Sequence, residues 1–211
     1  MFIALEGGDG AGKSTQIPLL KAWFEAQGYN VTVCREPGST PLGERIREIL
    51  LFSKNLGVSQ MSRMSELLLF MAARAQVVAE IIRPALERGE VVLADRFLLS
   101  SIVYQGWGGE LDVEQIRQIG QIATDGVLPN LNIVLDVPLS VAKARRTEAP
   151  DRLESEADEF HERVRAGFLT EAARDPEKCV VISAEKTVEE IFEQIKKAVE
   201  RKMSLRDSEI F

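Results

Sequence analysis

The sequence predicts an α/β fold: a five-stranded parallel sheet with helices on both faces, in three α/β/α layers. Three observations carry that expectation. Short apolar runs rich in β-branched residues recur along the chain, stretches with helical periodicity separate them, and the runs are apolar without a polar face. Alternation of β and α makes parallel pairing the natural solution, and strands covered by helices on both sides must be apolar throughout.

The runs end at Glu6 (FIALE), Cys34 (VTVC), Asp95 (VVLAD), Asp136 (IVLD) and Ile182 (CVVI). Between them, periodicity and end signals predict helices from Ser14 to Ala26, Pro41 to Leu51, Ser62 to Arg88, Leu99 to Gln105, Val113 to Ala123, Ser140 to Arg146, Glu156 to Ala173 and Thr187 to Arg201. In such sheets ligands gather beyond the carboxyl ends of the strands, so the residues that follow each run are the first functional candidates. A chain of 211 residues with 45% hydrophobic content can build one core, and one domain over residues 1–203 is expected. The polar stretch SLRDSEIF at 204–211 reads as a frayed tail.

Twenty-six basic against 33 acidic residues leave a net charge of −7, which repels a polyphosphate backbone and argues against a nucleic-acid partner. Any anion site must be built locally. Cys34 and Cys179 stand apart with no metal-binding spacing, which fits a reduced, cytoplasmic setting. No run reaches eighteen apolar residues and MFIALEGG lacks a basic leader, so neither a membrane span nor export is expected.

Gly7, Gly12, Lys13 and Ser14 satisfy GxxxxGK[ST] directly after a strand and at the opening of a helix. The loop through Gly8, Gly10, Ala11 and Gly12 can turn backbone N–H groups around phosphate oxygens, while the helix that begins at Lys13, Ser14 and Thr15 presents its positive dipole end. Lys13 adds a point charge for β and γ phosphates, and the Ser14 hydroxyl is a hard ligand suited to Mg²⁺. ATP with Mg²⁺ is the expected cofactor pair, and the fold is P-loop NTP hydrolase-like. Asp95 closes the third strand with Arg96 behind it, at the same sheet edge. The acid can hold Mg²⁺ or its waters, and the arginine can grip a second phosphate bidentately.

GGDGAGKST at 7–15, REPGST at 35–40, FMAARAQ at 70–76, DRFLLSSIVYQG at 95–106 and APDRLE at 149–154 together resemble the thymidylate kinase family, in matching order along nearly the whole chain. The resemblance implies transfer of the γ-phosphoryl of Mg·ATP to dTMP by a homodimer, with the helix from Ser62 to Arg88 in its interface. It implies that Phe70 stacks on thymine and Arg74 bonds its O4 edge, with Ser101 and Tyr104 on the base and sugar side and Ser100 and Gln105 assisting. Asp9 corresponds to the acid at the sugar 3′-hydroxyl. Arg47 and Arg96 would hold the monophosphate, under a loop shaped by Arg35, Glu36 and Pro37.

Phe70 and Arg74 lie at i and i+4 of one helix, on a face made apolar by Leu67, Val77 and Ile81, so Arg74 needs either a ligand or an acidic partner. Phe97 is open between core packing and substrate contact. Some family members carry an arginine in the phosphate loop where this chain has Gly10, so transferring charge must be neutralised from elsewhere. KARR and APDR at 143–152 resemble the family's mobile lid, spanning 143–154, which implies catalytic roles for Arg145 and Arg152 with Arg146 in support; Thr147 departs from the fuller arginine pattern. The adenine is expected near Ser183 and Ala184. His161, in the polar stretch EFHERVRAGF, is expected to face solvent. Kinases for UMP, CMP or a deoxynucleoside, nucleotide-dependent switches or partitioning-type ATPases, and a catalytically silent nucleotide-binding module are the competing classes; no NKxD base motif is evident, and intact Lys13, Ser14, Asp95 and Arg96 argue against a silent module.

Overall fold

The computed structural model describes residues 1–52, 56–57, 60–145 and 150–208. Its strands are β1 (Phe2–Gly7), β2 (Val31–Arg35), β3 (Val91–Asp95), β4 (Leu131–Asp136) and β5 (Cys179–Ser183), all parallel, in the order β2-β3-β1-β4-β5. The first strand is central and every residue in it is buried. Its register sets Leu5 beside Asp95 and Gly7 beside Leu135, so three strands deliver their carboxyl ends to one place.

Alternation along the strands makes two cores. Ile3, Leu5, Leu93 and Ile133 face α1 (Lys13–Ala26) and α9 (Val188–Ser208), meeting Leu20, Phe24 and Ile195. Phe2, Ala4, Val92 and Ala94 face the other way, onto Leu67 and Val77 of α3 (Arg63–Val77) and Ile116 of α6 (Val113–Thr124). The helices α2 (Pro41–Leu51), α4 (Arg83–Glu87), α5 (Leu98–Ser101), α7 (Leu139–Ala144) and α8 (Asp158–Arg174) complete the layers. Thr40, Ser62 and Asp112 cap α2, α3 and α6 by accepting from backbone N–H groups two or three residues on.

Three elements differ from expectation. The long helix of 62–88 is continuous but widens into π geometry at Val78–Ile82 before α4. Pro84 accounts for this, since it has no N–H and its ring crowds the carbonyl four residues back. The short helix after β3 begins at Leu98 and passes into a second π stretch, Ile102–Gly108, which carries Tyr104 and Gln105. Seven residues beyond the expected end at Arg201, α9 still runs on to Ser208, so the start of the expected tail is helical. Among the described residues, no helix is long and apolar enough to cross a membrane.

Candidate active site

The phosphate loop joins β1 to α1. Gly7, Gly10 and Gly12 all have positive φ, at 128°, 80° and 96°. A Cβ on Gly10 would stand 2.5 Å from the Ala142 carbonyl oxygen, so α7 backbone packs directly on the loop and leaves no room there for an arginine. Lys13 is buried and its Nζ donates to the carbonyls of Gly7 and Gly8 at 3.2 and 3.0 Å. Burial, with repulsion from Arg96 second, lowers its pKa to about 8. Lys13, Ser14, Thr15, Asp95, Arg96 and Arg145 line an open cleft of about 480 Å³.

Beside the cleft lies a cavity of about 150 Å³ whose wall includes Asp9, Glu36, Pro37, Arg47, Phe70, Arg74, Arg96, Ser100, Ser101, Tyr104 and Gln105. Asp9, Glu36, Arg47, Arg96 and Glu154 line both spaces and form the boundary between them. Arg96, at φ 68°, turns its guanidinium back to the Gly7 carbonyl at 2.8 Å, the Ser100 hydroxyl at 3.2 Å and the Asp9 carboxylate. Burial opposes charge on Arg96, but Asp9, Tyr104, Asp95 and Glu6 outweigh it and raise its pKa. The Tyr104 hydroxyl donates to Asp9 Oδ2 at 2.7 Å, and burial holds it protonated. Arg47 donates to the Pro37 carbonyl at 3.0 Å, beyond the cis Glu36–Pro37 peptide. Arg74 is 1% exposed: it donates to Glu36 Oε2 at 2.6 Å and to the Phe97 carbonyl at 3.1 Å. Burial raises the Glu36 pKa while Arg74 pulls it back.

Two buried acceptors in this wall, Glu36 Oε1 and Gln105 Oε1, have no hydrogen-bond partner among the described residues. Residues 5–195 match the family model described as thymidylate kinase. The chain belongs to the thymidylate kinase family. It is 47% identical to the thymidylate kinase of Symbiobacterium thermophilum over 207 residues, covering 98% of this chain and 95% of that one. It is 48% identical to that of Leifsonia xyli over 199 residues, 93% of this chain and 92% of the relative. The crystal structure of thymidylate kinase from Ehrlichia chaffeensis superposes with a TM-score of 0.76 at 33% identity, covering 95% of this chain and 98% of that chain.

The described residues of the segment 143–154, expected from the resemblance to be a lid, do not all serve one space. Arg145, at the end of α7, lines the phosphate cleft and donates to the Ala184 carbonyl at 2.9 Å, beside exposed Ser183. Arg152 does not join it: its Nε donates to the Leu50 carbonyl at 2.8 Å and its Nη2 to Glu66, while Asp151 and Leu153 line the smaller cavity and Glu154 lines both spaces. The cause is local packing. Leu153 is buried against Ile46, Leu50 and Leu51, and Asp151 caps the turn by accepting from the N–H groups of Leu153 and Glu154. Arg146 and Thr147 lie outside the described residues.

Phe97 is core, packed edge-on to Phe2 at 4.9 Å. His161 is buried rather than solvent-facing, 3.3 Å from the Glu154 carbonyl, because α8 turns that face onto the lid segment. Two acids are additions to the sequence reading. Glu6 accepts from the Phe97 N–H at 2.9 Å and the Ser100 hydroxyl at 2.5 Å, holding the turn that carries Arg96, and burial raises its pKa to about 7. A charged residue closing an otherwise apolar first strand was the available signal. Glu66 is 1% exposed and accepts from Gln105 and Arg152, with Arg63 an ion-pair partner at 3.7 Å.

Proposed function

We propose that this chain transfers the γ-phosphoryl group of Mg·ATP to dTMP, giving dTDP and ADP, as a step towards dTTP. The observation that carries the reading is the polarity of the cavity wall. Arg74 can only donate, and Gln105, which lines the same space as the Phe70 ring, carries a buried acceptor, Oε1, without a partner among the described residues. Thymine offers the complement, an O4 acceptor next to an N3–H donor, whereas cytosine reverses both. Phe70 supplies the stacking face, Tyr104 crowds the 2′ carbon and favours deoxyribose, and Asp9 meets the 3′-hydroxyl. Ser100 and Ser101 line the base and sugar side, with Glu36 and Pro37 above the phosphate.

Arg47 and Arg96 stand where the two spaces meet and would hold the acceptor phosphate against the donor. Gly7, Gly8, Gly10, Ala11, Gly12 and Thr15 would cradle the ATP phosphates, with Lys13 on the β and γ groups and adenine beside Ser183. The Ser14 hydroxyl and the Asp95 carboxylate are hard oxygen donors on the same cleft, which suits Mg²⁺ completed by phosphate oxygens and water. The ion supplies charge neutralisation on the phosphates. The acceptor oxygen of dTMP is already ionised near neutral pH, so the protein needs no general base, and its work is alignment and delivery of positive charge. Among the described lid cations, Arg145 lines the cleft that would take the donor phosphates; Arg152 would add to it only after leaving Glu66.

The same reading makes residues 1–203 one kinase domain with its lid at 143–154, in a cytoplasmic homodimer. Exposed Met64 and Leu68 on α3 and Ile122 on α6 support an apolar interface there. The test is ADP release with Mg·ATP and dTMP, dUMP, UMP, dCMP, AMP or thymidine as acceptor. Preference for dTMP with stoichiometric dTDP is expected, and ADP release indifferent to acceptor overturns the kinase reading in favour of an ATPase switch.

A further inference from the structure

We infer that Glu66 is a specificity-determining positioning residue, which sets the orientation of the Gln105 amide and thereby makes the cavity select a base with an N–H at its Watson–Crick edge. The inference rests on the reading of this cavity as the acceptor-base site. Glu66 does not line the cavity, and it is 1% exposed. Its two oxygens are divided. Oε1 accepts from Gln105 Nε2 at 2.9 Å, and Oε2 accepts from Arg152, with Arg63 at 3.7 Å.

A side-chain amide has two ends of nearly equal size and opposite polarity, so its orientation is decided by its neighbours. A carboxylate held between guanidinium groups accepts only, so Gln105 must turn Nε2 towards Glu66 and Oε1 the other way. Oε1 is the atom left buried without a partner. Leaving a buried acceptor unpaired is costly, and a ligand that donates to it recovers that cost, whereas one presenting a second acceptor meets it oxygen to lone pair. Thymine and uracil donate from N3; cytosine accepts there.

The chain of polarity makes a specific forecast for Glu66→Gln, which is isosteric. The arginines still demand an oxygen at the Oε2 position. The new amide therefore directs its NH₂ at residue 105, and Gln105 must rotate to accept it. A base seated against residue 105 then meets an N–H where it would have met the unpartnered oxygen. The ratio of kcat/KM for dTMP to that for dCMP should fall at least tenfold, with the dCMP value rising in absolute terms. Glu66→Asp keeps an acceptor-only group and should retain the wild-type ratio even where both activities drop.

Melting curves for each variant separate loss of fold from loss of selection, and the ratio itself is independent of how much enzyme is folded. A Glu66→Gln protein with the wild-type ratio overturns the inference, as does a Glu66→Asp protein that loses selectivity equally. A wild-type enzyme that does not discriminate dTMP from dCMP would instead sink the underlying reading of the cavity. The two failures are thus distinct.

Discussion

The acceptor cavity and the phosphate cleft share a wall but are built on opposite plans. The cavity holds about 150 Å³ and is surrounded by side chains already bonded to one another: the buried pairs Arg74 with Glu36 and Gln105 with Glu66, and the half-buried pair Arg96 with Asp9. The cleft is about 480 Å³, and of its charged groups only Lys13 and Glu36 are buried. On the proposed reading, one side selects a base by its pattern of donors and acceptors, which requires preset orientation. The other grips phosphate through backbone N–H groups and charge, which every nucleoside triphosphate shares. Specificity is concentrated where charges are buried in pairs, because a partner removed there leaves the other group unsatisfied.

Four substitutions test that contrast. Arg74→Ala strands Glu36 in the interior and should cost roughly 3–5 kcal/mol of stability, measurable by urea unfolding, together with selection for thymine; ATP affinity should be unchanged. If ATP binding fell in parallel, the two spaces would not be separable. Lys13→Ala should fold normally and reduce kcat by about 10²–10³-fold with every acceptor, while dTMP binding followed by calorimetry persists.

Smaller effects sharpen the division within the lid. Arg145→Ala should lower kcat about tenfold or more with little change in KM for dTMP, because positive charge is withdrawn from the transferring group rather than from the acceptor. Arg152→Ala should lower kcat less; an equal loss would mean that Arg152 leaves Glu66 and reaches the phosphates during turnover.

The smallest effect concerns pH. Glu6 has its pKa raised from 4.5 to about 7 by burial, so the folded chain binds this proton more tightly than the unfolded one. Its linkage is favourable to folding at low pH and is lost as pH rises from about 4.5 through 7. Urea midpoints between pH 5 and 8 should therefore decline less with pH in Glu6→Gln than in the parent. Parallel profiles would show that Glu6 is ionised at little cost.

Strand runs, the phosphate loop and the acid–arginine pair at 95–96 were legible because each is a local pattern whose spacing carries its own geometry. Membership of the thymidylate kinase family was legible from motif blocks in order. Helix texture was less so. Pro84 stood in plain view, yet the π stretch that accommodates it, and the second one that carries Tyr104 and Gln105, depend on how the helices seat against the sheet. Sequence alone placed the phosphate loop and the pair Asp95 and Arg96 at the carboxyl edge of the sheet through local spacing, while the expectation of which residues meet a base came from the family resemblance. Only the tertiary structure decided who satisfies whom. Arg74 required an acid or a ligand, and the acid is Glu36, 38 positions away; Arg152 was expected in a lid over ATP, and its partner Glu66 lies 86 positions away. Buried charges need partners at hydrogen-bond distance, but nothing in a one-dimensional pattern specifies which distant residue folding brings there.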